Sequence, residues 1–310
     1  MIRAAPRQFT AKVSDNLRLC RDHYRLALDV PGLLSSQPGQ FVQIACCDIA
    51  KLDAEPREVG WLPPMASAIH DPELTQPLAF LRRPFSLAGH RGTQIDIIYR
   101  QVGLATGYLA GLHAGDSLAI LGPLGNAFTL PSDDQLAILV GGGVGIPPMI
   151  YLASRLDGQP GVALAGAVCR DLLPLTIGQR QYEVAEFAAH RVPAIVSTDD
   201  GSLGFHGLVT EALEDFLNGP EIRRSRLQPV IFTCGPEPMM KRVADIALQR
   251  NIPCQISVER AMACGMGTCQ SCCIRVRKPD PAKPPLPGQD WCYRLACTDG
   301  PIFTAEQLLW

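Results

Sequence analysis

The chain has 310 residues, of which 28 are basic and 30 acidic, with a formal charge of −2 and a hydrophobic fraction of 47%. This balance gives no electrostatic indication of binding to nucleic acid or to an anionic membrane, and the length suits two or three domains. The first residues lack the apolar segment of a secretory signal, and twelve cysteines occur in an otherwise ordinary composition. We therefore expect a cytoplasmic protein with reduced thiols. The longest uncharged run, 136–152, is interrupted by glycines and prolines, which argues against a membrane helix.

Short strand-like segments separated by turn residues fill the chain from residue 9 to about residue 128. The candidate strands are Thr10 to Val13, His23 to Val30, Gln40 to Cys46, Arg83 to Ala88, Gln94 to Tyr99 and Ser117 to Leu121. Glycine and proline turn signals lie where these strands should end. The pattern predicts an antiparallel β-barrel domain over 1–130, with 48–77 as a long irregular excursion.

One candidate strand carries the string Arg83-Pro84-Phe85-Ser86. A guanidinium can bind a diphosphate with two parallel hydrogen bonds, an aromatic ring can cover a flavin or adenine, and a hydroxyl can reach a ring nitrogen. Strand alternation would put the first and third residues on one side and the other two on the opposite side. By itself, such a string is more often a plain strand end.

A second string, Ile98-Tyr99-Arg100, is followed by a glycine-containing segment that opens a predicted short helix through Leu112. The amides of Ala105 and Thr106 would lie at the start of this helix. Amides in a first helical turn lack intrahelical acceptors and attract anions, with the helix dipole adding to the attraction. This segment therefore indicates a phosphate-binding turn.

The apolar run from Gln135 to Val140 ends at a glycine-rich turn, which precedes a predicted helix to Leu156. The turn consists of Gly141, Gly142, Gly143, Val144 and Gly145, and Pro147 and Pro148 follow it. Glycines let a dinucleotide diphosphate approach the backbone, and proline fits the first turn of a helix. The spacing differs from the usual G-x-G-x-x-G, so a tight structural turn is the alternative.

Further alternation predicts an open, mostly parallel α/β sheet over 131–254 that binds a dinucleotide. The alternating segments are Gly161 to Cys169, Arg180 to Ala189, Ala194 to Ser197, Leu208 to Asn218, Pro229 to Cys234 and Pro238 to Arg250, and Gln255 to Glu259 continues the alternation past the domain bound. Ligands of such sheets lie at the carboxyl ends of strands. The loops that contain Asp199 and Asp200, and Cys234, Gly235 and Pro236, should therefore line the site. An acidic residue near the ribose favours NAD over NADP, although simple turn residues are the alternative for both aspartates.

The C-terminal part, predicted as a small domain over 255–310, contains Cys264, Cys269 and Cys272 with C-x4-C-x2-C spacing. With one distant cysteine, this is the plant-type [2Fe–2S] pattern. A zinc site would need a second cysteine pair, and a disulfide an oxidising compartment. The fourth ligand is open between Cys292 and Cys297 on spacing alone.

Three further expectations concern the same part of the chain. Cys273 is disfavoured as a ligand, because neighbours in an extended chain point to opposite faces. The proline-rich stretch 278–289 should be an exposed loop. The last residues, 306–310, are compatible with a short helix.

Taken in this order, the motifs RRPFSL with IIYRQVGLATGYL, GGGVGIPPM with CGPEPMM, and ACGMGTCQSCC with ACTDGPIF carry a resemblance over nearly the whole chain. The sequence resembles the electron-transfer subunits of bacterial, NAD-dependent, two-subunit dihydroorotate dehydrogenases, within the ferredoxin-reductase superfamily. The resemblance implies that Cys297 is the fourth cluster ligand. It also implies a set of FAD residues, which are Arg83, Pro84, Phe85, Ser86, Ile98, Tyr99, Arg100, Ala105 and Thr106. The NAD residues predicted from the glycine-rich turn and the strand ends are Gly141 to Gly145, Asp200, Cys234, Gly235 and Pro236.

The resemblance also implies a function in pyrimidine biosynthesis. Dihydroorotate would be oxidised on a separate catalytic subunit, in a heterotetramer with two copies of each chain, and electrons would pass through [2Fe–2S] and FAD to NAD+. One alternative is a reductase subunit that serves ferredoxin, a sulfur reductase or a hydrogenase. Another is a redox-sensing iron–sulfur protein without turnover, which would need neither a flavin motif nor a dinucleotide turn.

Overall fold

The computed structural model describes residues 7–47, 81–178, 183–277 and 290–310. These residues form two seven-stranded sheets and a two-stranded hairpin. The predicted excursion over 48–77 and the predicted loop over 278–289 lie outside the described residues. Within the described ranges, no helix has both the length and the apolar character needed to cross a membrane.

The first sheet is antiparallel and comes from the N-terminal part of the chain. Its strands are β1 (Arg7–Cys20), β2 (His23–Asp29), β3 (Phe41–Ile44), β4 (Arg83–Ser86), β5 (Gly89–Arg91), β6 (Gln94–Arg100) and β7 (Ser117–Leu124). They are ordered β4-β3-β7-β1-β2-β6-β5. The chain bends at the buried Leu87, so that β4 pairs with β3 whereas β5 pairs with β6. This half-barrel confirms the antiparallel domain that the sequence predicted.

Alternating apolar side chains fill the inside of the half-barrel. Leu26, Leu28 and Ile97 are completely buried, and helix α1 (Leu104–Ala110) adds Leu109 to the same core. Every second side chain of a strand points to the same face. Burial of each such side chain contributes about 1.5–3 kcal/mol to folding.

The second sheet is parallel except for its last strand. The remaining strands of the chain are β8 (Gln135–Gly142), β9 (Gly161–Ala167), β10 (Ala194–Thr198), β11 (Phe205–His206), β12 (Gln228–Cys234), β13 (Cys254–Ser257), β14 (Cys273–Arg277), β15 (Trp291–Leu295) and β16 (Ile302–Thr304). The second sheet has the order β11-β10-β9-β8-β12-β13-β16, and only the β13–β16 pair is antiparallel. The predicted open, mostly parallel sheet is confirmed.

Helices pack on both faces of this sheet. They are α2 (Ile146–Ala153), α3 (Ala185–Ala188), α4 (Val209–Asn218), α5 (Pro220–Arg224) and α6 (Glu237–Gln249), with short 3-10 turns at Gly143–Gly145 and Arg170–Leu172. Residues of β8 alternate between the faces: Leu139 packs in the core that contains α2, whereas Ile138 packs in the core that contains α4 and α6. A strand buried on both faces reads as a continuous apolar run, which is why Gln135 to Val140 was recognisable in the sequence.

The C-terminal part consists of the hairpin β14–β15 and strand β16, which returns to the second sheet. The sheet therefore extends past residue 254, and the domain bounds stay a prediction. The prediction of a short helix over 306–310 is wrong. Leu309 donates its backbone N–H to Arg275 at 3.2 Å and Gln307 accepts from Arg277 at 2.8 Å. These groups bond to β14, so they are not available for a helical turn.

Side-chain hydrogen bonds join the three parts of the chain. Tyr151 of α2 donates its hydroxyl to the carbonyl of Ser36, between β2 and β3, at 2.6 Å. Asn126 follows β7 and bonds to the segment after Cys297. Its Nδ2 donates to the carbonyls of Asp299 at 3.1 Å and Ile302 at 2.9 Å, and its Oδ1 accepts the Ile302 N–H at 2.8 Å. Asn126 thus fixes the C-terminal segment to the half-barrel.

Replacement of Asn126 by alanine removes all three bonds and leaves partly buried backbone groups without partners. We expect Asn126→Ala to lower the free energy of unfolding by about 2–4 kcal/mol. Denaturant titration measures this change. Asn218→Ala is the matched control, because the Asn218 side chain makes one exposed bond, to Arg250, and should change the stability by less than about 1 kcal/mol. Equal effects of the two substitutions would contradict the clamping role.

Candidate cofactor site

Two neighbouring cavities lie where the half-barrel, the second sheet and the C-terminal part meet. The larger has a volume of about 940 Å³ and the smaller about 460 Å³. Arg100, Val144 and Glu259 line both, so the cavities adjoin one another. A two-part site of this kind suits two ligands that must meet.

All nine residues predicted to bind FAD line the larger cavity. They are Arg83, Pro84, Phe85, Ser86, Ile98, Tyr99, Arg100, Ala105 and Thr106. They come from β4, β6 and the start of α1, which the closing of the half-barrel brings together. Their assignment to FAD stays a prediction, but a single cavity contains the whole set.

Aromatic rings form one wall of the larger cavity. Tyr99 is buried, stacks on Tyr24 with ring centroids 5.6 Å apart, and meets Phe85 edge to face at 6.1 Å. Its hydroxyl donates to Asn16 Oδ1 at 3.4 Å, and burial raises the pKa of Tyr99. The phenol therefore stays protonated at neutral pH, and the rings offer an apolar surface.

The start of α1 supplies backbone rather than side-chain groups to this cavity. The Thr106 hydroxyl accepts the N–H groups of Val102 at 2.9 Å and Gly103 at 3.1 Å, so this side chain caps the helix. The methyl group of Ala105 packs into the core of the half-barrel. What remains for a ligand is the set of first-turn amides, which have no acceptor within the helix.

The glycine-rich turn contributes to both cavities. Of the predicted NAD residues, Gly142, Gly143, Val144 and Pro236 line the smaller cavity, and Val144, Gly145 and Cys234 line the larger one. Gly141, Asp200 and Gly235 line neither. The predicted NAD residues are therefore only partly brought together.

Glycine is favoured at the positions of this turn for different physical reasons. Gly143 has φ +53° and open space around it, so it combines a left-handed backbone with room for a ligand. An added Cβ at Gly145 would overlap the carbonyl of Cys234, and one at Gly141 would lie 2.9 Å from the Cα of Ile146. Gly141 and Gly145 are thus required by packing, and Gly143 is the position open to a dinucleotide.

Of the two aspartates that follow β10, Asp199 and not Asp200 lines the smaller cavity, which Glu259 also lines. The Asp200 carboxylate accepts hydrogen bonds from Ser202 Oγ at 2.6 Å and Ser202 N at 3.0 Å, and these bonds lower its pKa. Asp199 lines the cavity, and its partial burial raises its pKa. The Asp200 carboxylate is hydrogen-bonded within a turn, which leaves Asp199 as the aspartate that faces the smaller cavity.

Three of the four predicted cluster ligands lie in the cysteine loop, residues 264–272. The Cys264 thiol accepts the N–H of Cys269 at 3.4 Å and that of Met266 at 3.5 Å. A hydrogen bond with Ser271, 3.2 Å from Sγ to Oγ, lowers the pKa of Cys269 to about 6. The loop therefore already favours a thiolate at Cys269, which is the form that binds iron.

The Cys297 thiol lies near the thiols of Cys272 and Cys264, whereas the side chains of Cys292 and Cys273 have other partners. Burial, followed by contact with the Cys272 thiol, raises the pKa of Cys297 to about 12, and the Cys264 thiol is also near it. Cys292 sits on β15 opposite Val276 and packs against the apolar core. Cys273 is exposed and bonds to the carbonyl of Gln270 at 3.0 Å. The structure thus groups Cys297 with the loop, although the ligand assignment itself stays a prediction.

The four thiols offer the donor set of an iron–sulfur cluster. Among the described residues, no three His, Cys, Asp or Glu side chains converge closely enough to bind a single metal ion. A [2Fe–2S] cluster has four cysteine ligands shared between two irons, so it needs no such convergence. The donor set of four cysteines therefore suits a two-iron cluster.

One part of the larger cavity was not among the predicted site residues. Residues 257–262, which run from the end of β13 toward the cysteine loop, line it together with Phe41 and Pro301. Arg260 of this segment forms an ion pair with Glu237 at the start of α6. These residue types carry no recognisable motif. Only their position immediately before Cys264 could have indicated a role.

Comparison with known proteins agrees with this architecture. Residues 259–309 match the family model described as the iron-sulfur cluster binding domain of dihydroorotate dehydrogenase B. The structure of an NADH-dependent reduced ferredoxin-NADP oxidoreductase superposes with a TM-score of 0.70 at 24% identity, covering 100% of this chain and 92% of that one. The chain thus has a ferredoxin-reductase-like fold with a C-terminal iron–sulfur domain.

Relatives with curated names identify the family. The "Dihydroorotate dehydrogenase B (NAD(+)), electron transfer subunit" of Caldanaerobacter subterraneus is 30% identical over 96% of this chain and 97% of its own length. The protein of the same name from Geobacillus kaustophilus is 37% identical over 74% of this chain and 80% of its own. The chain belongs to the family of dihydroorotate dehydrogenase B electron transfer subunits. The resemblance inferred from the motifs is confirmed.

The grouping of the cysteines gives a direct mutational test. Cys297→Ser should abolish the visible absorption of the cluster, because it removes a thiolate at the loop. Cys292→Ser should retain the absorption, since that side chain packs in the apolar core. Visible spectra and iron content of the two purified variants measure this difference. The opposite pattern would overturn the grouping.

Proposed function

We propose that this chain is the electron-transfer subunit through which electrons from dihydroorotate, oxidised on a separate catalytic subunit, pass by way of a [2Fe–2S] cluster and FAD to NAD+. One observation carries the proposal. The larger cavity is lined at once by the β4 motif, by the glycine-rich turn and by the segment that leads to Cys264. A flavin in this cavity would have the nicotinamide site on one side and the cluster on the other.

The residues of the larger cavity fit a flavin dinucleotide. The guanidinium of Arg83 and the first-turn amides of α1 suit its diphosphate, and the hydroxyl of Ser86 suits a ring atom. The Arg83 guanidinium already donates to the carbonyl of Leu81 at 2.8 Å, which holds its direction. The aromatic wall of Tyr99 and Phe85 suits the apolar ring system. Bound there, FAD supplies exchange between two-electron hydride chemistry and single-electron transfer.

The cysteine loop fits a [2Fe–2S] cluster. Cys264, Cys269, Cys272 and Cys297 supply four thiolates, and Gly265 and Gly267 have φ of +72° and +90°. Positive φ lets a loop turn its amide groups inward, toward sulfur. Cys269 is exposed, so the loop reaches the protein surface, where a partner could dock.

The smaller cavity supports NAD rather than NADP as the nicotinamide substrate. Asp199 brings a negative charge that would repel a 2′-phosphate. Arg242 also lines the cavity, but both oxygens of Glu214 accept from its Nη2 at 3.0 Å. This guanidinium is therefore already paired, whereas Arg100, at the boundary with the larger cavity, is the other arginine of the lining.

The name of the family implies a catalytic partner. We further propose a heterotetramer with two copies of each chain, in the cytoplasm. No residue of this chain needs to act as acid or base on dihydroorotate. Its residues would bind the cofactors, fix their relative positions and leave the cysteine loop accessible to the partner.

The proposal predicts NADH formation from two proteins together. Under anaerobic conditions, this chain is mixed with the catalytic subunit from the same organism, dihydroorotate and NAD+, and absorbance at the NADH band is followed. NADH should form only when both proteins are present. If none forms although NADH bleaches the flavin and the cluster, electrons pass to a different partner, such as ferredoxin.

Adjacent arginines provide a test of the flavin site. Arg83→Ala should lower the FAD content of the purified protein at least tenfold with iron content retained, because Arg83 lines the larger cavity. Arg82→Ala is the matched control, since Arg82 does not line the cavity and bonds to Gln8 at 2.7 Å. Loss of FAD and iron together in Arg83→Ala would instead indicate a folding defect.

A further inference from the structure

Gln43 on β3 is a buried polar side chain without a partner. It is 0% exposed, and among the described residues neither its Nε2 nor its Oε1 makes a hydrogen bond. A buried carboxamide without hydrogen bonds is costly, and such groups in folded proteins nearly always have a partner. The position therefore calls for a hydrogen-bonding group beyond the described protein atoms.

The surroundings of Gln43 limit where that group can be. Strand register sets Gln43 opposite Pro84, which has no N–H, on one side and opposite Leu121 on the other. Its neighbours on β3, Val42 and Ile44, point into the core of the half-barrel, so Gln43 points to the opposite face. That face packs against the C-terminal part of the chain.

The Gln43 side chain lies directly against the cysteine loop. A Cβ built on Gly265 would be 2.7 Å from the Cγ of Gln43 and 3.0 Å from its Nε2. Gly265 follows Cys264 immediately and has φ +72°, so the loop can approach this closely only with glycine at that position. The side-chain amide of Gln43 therefore lies at the Cys264 end of the cysteine loop.

We propose that the Gln43 side-chain amide donates a hydrogen bond to a sulfur atom of the [2Fe–2S] cluster at its Cys264 end, and that this bond raises the reduction potential of the cluster. The inference rests on the proposed function, because it requires the cluster. Cluster sulfur is anionic and accepts hydrogen bonds, which are a recognised determinant of cluster potential. Reduction adds negative charge, so a donated bond stabilises the reduced form more. Gln43 would thus contact the cluster directly from β3, the strand that pairs with β4.

The test is a redox titration of the cofactor-loaded complex, with the reduced cluster followed by its EPR signal. In Gln43→Leu the ratio of reduced to oxidised cluster at a fixed potential should fall about three- to tenfold, and tenfold corresponds to 59 mV for one electron. The flavin midpoint should stay unchanged. Ser197→Ala is the control: Ser197 is also buried with an unpartnered hydroxyl, but on β10, and its removal should leave the cluster potential unchanged.

A second measurement covers the case in which Gln43→Leu fails to retain the cluster. Wild-type protein labelled with 15N at the glutamine side chains should show a coupling of the label to the reduced cluster in pulsed EPR. The coupling should persist in Gln270→Ala, which removes the glutamine within the cysteine loop. Loss of the coupling in Gln270→Ala, or no coupling in the wild type, would overturn the assignment.

The remaining outcomes are also decisive. An unchanged cluster potential in a cluster-loaded Gln43→Leu protein would overturn the inference. Bound water would then be the hydrogen-bond partner of the Gln43 carboxamide. Failure of the proposed function is a separate result. In that case the chain holds its cluster but forms no NADH with the catalytic subunit, and the Gln43 titration still decides its own question.

Discussion

The packing of the cysteine loop against β3 is the contact on which the rest of the site depends. Gly265 lies on Gln43, the clamp formed by Asn126 holds the segment after Cys297, and Phe41 shares a core with Cys272 and Cys297. Because β3 pairs with β4, the same contact sets the distance between the cysteine loop and β4, which carries the predicted FAD residues Arg83 to Ser86. Electron transfer needs a fixed separation of its cofactors, and a shared buried core provides it.

The two cavities follow from the same arrangement. The glycine-rich turn must pack tightly on Cys234 for β8 and β12 to remain paired to their ends, and this packing brings Val144 to the boundary of both cavities. Among the glycines of this turn, only Gly143 would place an added Cβ in open space. One short segment therefore holds the sheet together and leaves room for a ligand, with different residues for each.

Local patterns predicted much of this molecule. The continuous apolar run before Gly141 identified a doubly covered strand, and the C-x4-C-x2-C spacing identified a cluster loop, because both properties depend on residues close in sequence. Spacing could not choose between Cys292 and Cys297, since the choice depends on how β15 turns its side chains. The Asp199 and Asp200 positions were ambiguous for a similar reason: a bond to Ser202 decides which carboxylate is free. The prediction of a C-terminal helix was wrong, and no role was predicted for Gln43. Both failures have the same cause, since the decisive contacts are with segments distant in the chain.

The central claim is that nicotinamide, flavin and cluster form one continuous path in this chain. Its most direct test is an anaerobic titration of the FAD- and cluster-loaded chain with NADH, without the catalytic subunit, followed by visible absorption and by EPR. The path predicts that bleaching of the flavin is accompanied by the EPR signal of a reduced [2Fe–2S] cluster. A bleached flavin beside a cluster that stays oxidised, yet is reduced by a strong chemical reductant, would contradict it.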